Sequence, residues 1–122
     1  MNRKSFGTDG EDLACDYLRG KKYKIISRNY RCRIGEIDII ALRRKTLVFC
    51  EVKARNNREF GEPFEAVTRH KQKRLRRLAE SYLQSTHNDR NIPQDLDYRF
   101  DVISIVFNQS NEFEIIHLEN AF

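Results

Sequence analysis

Two apolar runs stand close together in the chain: GEIDIIALR at residues 35–43 and TLVFCEVK at residues 46–53. Both are rich in Ile, Leu, Val and Phe, which favour β-strands. Only Arg44 and Lys45 separate them, so the sequence predicts a β-hairpin. Arg-Lys is poor chemistry for a two-residue turn, and a four-residue loop is the alternative. Both loop lengths pair Leu42 with Leu47.

This register brings charged side chains together. Continued along the strands, it places Asp38 opposite Glu51 and Glu36 opposite Lys53. Because side chains alternate along a strand, these four residues should share one face of the hairpin. The residues between them should face the opposite side: Ile37, Ile39, Cys50 and Val52.

Two interpretations fit the charged face. Two opposed carboxylates in a partly buried sheet are costly unless a cation or a proton intervenes. A hard divalent metal held by Asp38 and Glu51 meets that need, and it would polarise a phosphodiester while Lys53 orients water or neutralises developing charge. The alternative is an ordinary salt-bridge cluster of the four residues across an exposed strand edge.

The remaining periodicities predict an α/β fold, with a mixed β-sheet flanked by helices in the order α-β-β-β-α-β-β. One domain should span residues 1–122, because half this length buries too small a core. The elements outside the hairpin are a helix from about Ser5 or Thr8 to Arg19, a strand at 23–30, a loop at 56–67, a helix capped by Thr68 and ending near Ser85, a loop at 86–97, and strands at 98–107 and 113–118.

Composition excludes several classes of protein. The chain of 122 residues has no run of 18 apolar residues and no apolar leader, so we expect neither a membrane partner nor a signal peptide. Its three cysteines are widely spaced and form no CxxC pattern. They are therefore expected to be reduced thiols of a cytoplasmic protein rather than zinc ligands.

Two basic stretches suit a polyanion, most simply nucleic acid. Residues 17–35 contain seven Lys or Arg and no acid, including Arg31 and Arg33. In residues 69–77, six of nine are Lys or Arg. Solvated helix faces are the alternative. The residues expected to contact nucleic acid are Arg31, Arg33, Arg55, Arg69, Lys71, Gln72, Lys73 and Arg74. Lys71 and Gln72 extend the inward stripe of the second helix, so they could approach the phosphate, and an ordinary structural role in the first turn of the helix is the alternative.

The ordered motifs also resemble a known family. Gly35–Ile40 followed by Glu51–Arg55 looks like the D…ExK core of the PD-(D/E)xK nuclease superfamily, although Ile37 stands where the name of the superfamily has proline. Further segments extend the match over nearly the whole chain: residues 10–14, 28–31, 60–63, 65–68, 98–102 and 119–122. Together they resemble the bacterial YraN family, which is related to archaeal Holliday-junction resolvases.

The resemblance implies a restriction-endonuclease-like fold and a DNA endonuclease that uses Mg²⁺ or Mn²⁺. It also implies that Glu11, from the first helix, joins Asp38 and Glu51 at the metal, with Lys53 as the fourth catalytic residue. A homodimer is expected by the same resemblance. The alternatives are a non-catalytic nucleic-acid-binding module on a nuclease scaffold and, because the last third is acidic, a protein-interaction adaptor.

Overall fold

A computed structural model describes residues 6–56, 68–87, 89, 95–110 and 112–122, with side chains from residue 10 onward. Its elements are α1 (Phe6–Gly20), β1 (Lys24–Cys32), β2 (Gly35–Arg43), β3 (Thr46–Arg55), α2 (Arg69–Ser85), β4 (Asp97–Phe107) and β5 (Phe113–Leu118). The predicted α/β class and element order are confirmed. The loop predicted at 56–67 lies outside the described residues from position 57, as does half of the loop predicted at 86–97.

The five strands form one mixed sheet in the order β1-β2-β3-β4-β5. Neighbouring strands are antiparallel except β3 and β4, which run parallel from Thr46 with Asp97 to Arg55 with Val106. A parallel pair needs a long crossover connection, and α2 lies within it. Neither helix, over the part of the chain that is described, is long and apolar enough to cross a bilayer.

Helix α1 covers one face of the sheet. Its buried residues Ala14, Cys15 and Leu18 pack in one cluster with Ile39, Ile103 and their neighbours. The helix approaches β3 very closely at Gly10, where an added Cβ would stand 2.8 Å from the Cβ of Ala54. Glycine is therefore required for this close approach, and it brings the next residue, Glu11, towards the end of β3.

Helix α2 covers the other face. Thr68 is its N-cap, and the side-chain hydroxyl accepts a hydrogen bond from the Lys71 amide at 3.2 Å, as the sequence predicts. The inward stripe of this helix is apolar beyond its first turn, and it packs against β2, β3 and β4. The buried residues of the stripe are Leu75, Leu78, Ala79 and Tyr82.

The structure decides the turn length that the sequence left open, and it corrects the predicted orientation of Ile37. The hairpin has the tight turn, because Arg43 pairs directly with Thr46 and Arg44 adopts a positive φ of 55°. Ile37 packs in the α2 cluster instead of facing α1. The strands are irregular at this point: the pairing of β2 with β3 ends at Ile39, and Asn29, next to the Tyr30 that pairs with Ile37, has a positive φ of 54°. Strict alternation therefore does not extend past Asp38.

Candidate active site

The hairpin register is confirmed for the five pairs from Ile39 with Cys50 to Arg43 with Thr46. Beyond them, a side chain replaces a main-chain partner: the Val52 amide donates to Asp38 Oδ2 at 2.8 Å. The carboxylate of Asp38 is thus anchored beside β3, on the same side as Glu51.

Asp38 and Glu51, called the acid pair below, line one cavity of about 280 Å³ between the sheet and α2. Glu51 is only 8% exposed, and Asp38 is half-buried. Burial, and next the charge of Glu51, raise the pKa of Asp38 to about 7. A carboxyl with such a pKa lacks an adequate positive partner. Two carboxylates that share one open cavity match the donors that Mg²⁺ or Mn²⁺ takes from proteins.

Two lysines meet at one oxygen of the acid pair. Lys71 Nζ, from the first turn of α2, lies 2.5 Å from Glu51 Oε1, and Lys53 Nζ lies 3.4 Å from the same atom. Burial and the hydrogen bond from Lys71 lower the pKa of Lys53. For Lys71, burial disfavours the charged form, but hydrogen bonds to Glu51 and Lys53 outweigh it and raise the pKa.

Glu11, on α1, forms an ion pair with an arginine of β1. Its carboxylate lies 3.9 Å from Arg28 Nη2. Its charge still contributes to the raised pKa of Asp38, after burial and the charge of Glu51. Among the described residues, no three acidic, histidine or cysteine side chains are grouped closely enough to hold a metal ion. The arrangement thus offers two carboxylate ligands, with Glu11 near them.

The predicted nucleic-acid contacts divide into three groups. Arg33, Arg69 and Lys73 are exposed, as is Arg74, which also lines the cavity of the acid pair. Arg31 is exposed but donates to Glu36 Oε2 at 2.7 Å, so Glu36 pairs with β1 rather than with Lys53. The third group is half-buried. Lys71 points inward to Glu51, and the other two members are Gln72 on α2 and Arg55 at the end of β3.

Sequence reasoning missed an aromatic cluster on the α2 face. Phe49 and Phe100 stack with centroids 5.5 Å apart, and Tyr98 lies 6.5 Å from Phe49. The three residues come together because β3 and β4 are parallel and pair Phe49 with Phe100. The alternation of Tyr98 and Phe100 was the only local signal, and it does not identify the partner strand.

A second buried network is structural. Asp101 is fully buried, and it accepts hydrogen bonds from Arg99 Nε and from the Asn120 amide. His117 Nε2 lies 2.6 Å from the same carboxylate, and His117 Nδ1 lies 3.0 Å from the hydroxyl of Tyr17. Both side chains lie on the α1 face, away from α2 and the acid pair, so the network stabilises the fold.

Residues 10–105 match the model of the family described as "Uncharacterised protein family UPF0102". Three similar chains carry the name UPF0102 protein. The one from Alkaliphilus oremlandii is 47% identical over 122 residues, covering 100% of both chains. The one from Caldicellulosiruptor saccharolyticus is 43% identical over 123 residues, covering 100% of both chains. The one from Chlorobium limicola is 46% identical over 123 residues, covering 97% of this chain and 92% of the relative.

Proposed function

The chain belongs to the UPF0102 family, which is the YraN family, and on this premise we propose that it is a divalent-metal-dependent DNA endonuclease of the Holliday-junction-resolvase-like type. The single observation that carries the proposal is the acid pair, which shares a cavity with Lys71 and stands beside Lys53 on β3. Exposed basic residues of α2 flank that cavity, and they favour a polyanionic substrate.

Each residue has a role in the proposed reaction. Asp38 and Glu51 would hold Mg²⁺ or Mn²⁺, and Glu11 would support them from α1. The bound ion would supply Lewis acidity and lower the pKa of a water molecule. Lys53 orients the water, whose oxygen forms a bond to phosphorus while the bond from phosphorus to the leaving sugar oxygen breaks. The lowered pKa of Lys53 suits a group that exchanges hydrogen bonds with water and phosphate.

Partner and location follow from the same features. DNA is the proposed partner, and its phosphates would lie along the exposed side of α2, near Arg69, Lys73 and Arg74. A homodimer remains part of the proposal, because a two-fold enzyme suits a branched substrate. We also propose a cytoplasmic location, which is consistent with free thiols at Cys15, Cys32 and Cys50.

A second candidate function is a non-catalytic nucleic-acid-binding module. The observation that favours it is that two lysine amines already surround Glu51 Oε1, so the acid pair has cationic partners within the chain. Such a module would bind DNA through the basic residues of α2 without metal affinity and without turnover.

Cleavage assays on branched, linear and single-stranded DNA with Mg²⁺ or Mn²⁺ test the proposal. Wild type should cleave at least one of these substrates, whereas Asp38→Asn and Lys53→Ala should keep the fold, checked by circular dichroism, and lose metal-dependent cleavage. Asp16→Asn is the matched control, because Asp16 is an exposed α1 carboxylate beside Arg19. Equal cleavage by wild type and both site variants would refute the assignment; DNA binding with neither metal affinity nor turnover would establish the second candidate.

A further inference from the structure

A second cavity, of about 270 Å³, opens on the α2 face beyond the acid pair. Its aromatic wall consists of Phe49, Tyr98 and Phe100, and α2 contributes Arg76, Ala79 and Glu80. Tyr98 is 53% exposed, one of two large hydrophobic side chains that the described part of the chain leaves open to solvent. We call this cavity the aromatic pocket.

The lining of the aromatic pocket suits a flat, aromatic, polar-edged ligand. The guanidinium of Arg76 lies 4.9 Å from the centroid of the Phe100 ring, which stacks between Phe49 and Phe122. The exposed ring of Tyr98 is therefore the aromatic face that the pocket offers to a ligand. Aromatic faces combined with arginine form the stacking surfaces on which unpaired bases lie in single-strand-binding proteins. The exposed carboxylate of Glu80 at the rim can accept hydrogen bonds from the amino groups of a base.

The aromatic pocket lies close to the acid pair. Phe49 precedes Glu51 by two residues on the same face of β3, a separation of about 7 Å along the strand. On α2, Arg74 lines the cavity of the acid pair while Arg76 lines the aromatic pocket, so the positive charge of the helix spans both. Residues two positions apart on a helix project from opposite flanks, so a strand that crosses α2 would meet an arginine at each opening.

We propose that the aromatic pocket binds one unpaired nucleobase of the nucleic acid whose phosphodiester lies at the acid pair. The inference rests on the proposed function and adds its substrate class: a strand with an unstacked nucleotide beside the cleaved bond. A base inside an intact duplex is paired and stacked, so it enters such a pocket only after costly extrusion. Selectivity for bulged, branched or single-stranded sites follows.

Fluorescence of 2-aminopurine tests the pocket without cleavage. The probe is a DNA duplex with one bulged 2-aminopurine, compared with the fully paired duplex, both in EDTA. Wild type should bind the bulged probe more tightly and quench its fluorescence. Tyr98→Ala should weaken bulge binding about 5- to 150-fold, the range for loss of one stacking contact, and leave duplex binding within about twofold. Tyr98→Phe keeps the ring and should retain the quench.

Phe113→Ala is the matched control, because Phe113 is the other exposed aromatic residue and lies on β5. If the protein binds the bulged probe more tightly than the paired duplex but cleaves no DNA, the base-binding pocket is supported and the nuclease function is rejected. Equal bulge binding by wild type and Tyr98→Ala would overturn the pocket, even if the protein cleaves DNA. Light scattering would also overturn the proposal if Tyr98→Ala converted a dimer to a monomer. The aromatic pocket would then be an interface with a second copy of the chain.

Discussion

Replacing Asp38 by Asn should make the protein more stable while it abolishes the proposed metal site. The pKa of Asp38 is raised from 3.8 to about 7 in the folded chain, chiefly by burial and then by the charge of Glu51. Keeping this carboxyl ionised when the chain folds therefore costs roughly 4 kcal/mol above pH 7. Asn has no charge to bury, and its oxygen can still accept the hydrogen bond from the Val52 amide.

The sign of the pH dependence follows from proton linkage. Between about pH 4 and pH 7 the folded protein holds a proton on Asp38 that the unfolded chain has released, so this residue makes stability fall as the pH rises. The full cost is present above pH 7. Asp38→Asn should thus gain about 3–4 kcal/mol at pH 8 and almost nothing at pH 4.

Urea denaturation at pH 4.5, 6 and 8 measures this, without metal and with 5 mM Mn²⁺. Wild type should be stabilised by Mn²⁺ at pH 8, and Asp38→Asn should not be. Asp16→Asn, the exposed control, should change the unfolding free energy by less than about 0.5 kcal/mol at each pH. If Asp38→Asn were less stable than wild type at pH 8, the carboxylate would be favourably paired, and the interpretation of the site as a cation-deficient acid pair would be wrong.

Three further changes test other parts of the structure. Lys71→Met removes an amine that competes with a metal ion for Glu51, so it should tighten Mn²⁺ binding about tenfold, as measured by calorimetry. Lys73→Met, on the exposed side of α2, should leave Mn²⁺ binding unchanged. Weaker Mn²⁺ binding by Lys71→Met would contradict this competition. Gly10→Ala should lower the unfolding free energy by about 1–3 kcal/mol because its Cβ collides with β3, while Gly20→Ala has open space and should not; an equal effect of both would remove the packing explanation. Asp101→Asn should cost about 3–5 kcal/mol near pH 7, since it leaves the guanidinium of Arg99 without its counter-charge, and a thermal melt like that of wild type would refute this.

Local patterns in the sequence were sufficient wherever neighbouring residues determine structure. The two apolar runs predicted both hairpin strands, and Leu42 opposite Leu47 set the register that the fold adopts. Thr68 marked the start of α2 because an N-cap bonds to an amide only three residues away. Asp38 and Glu51 could be placed together from the sequence for the same reason, since a hairpin is a short-range structure.

Contacts between distant segments were decided only by the tertiary structure. The sequence placed Lys71 on the inward side of α2, but the packing of that helix on the sheet brings its amine to Glu51, 20 positions earlier in the chain. The aromatic pocket requires β4 to pair in parallel with β3, and a crossover of this length leaves no periodic signal of its register. Likewise, Ile37 changed sides because the chain departs from a regular pleat beside Asn29, and the alternation rule assumes a regular strand.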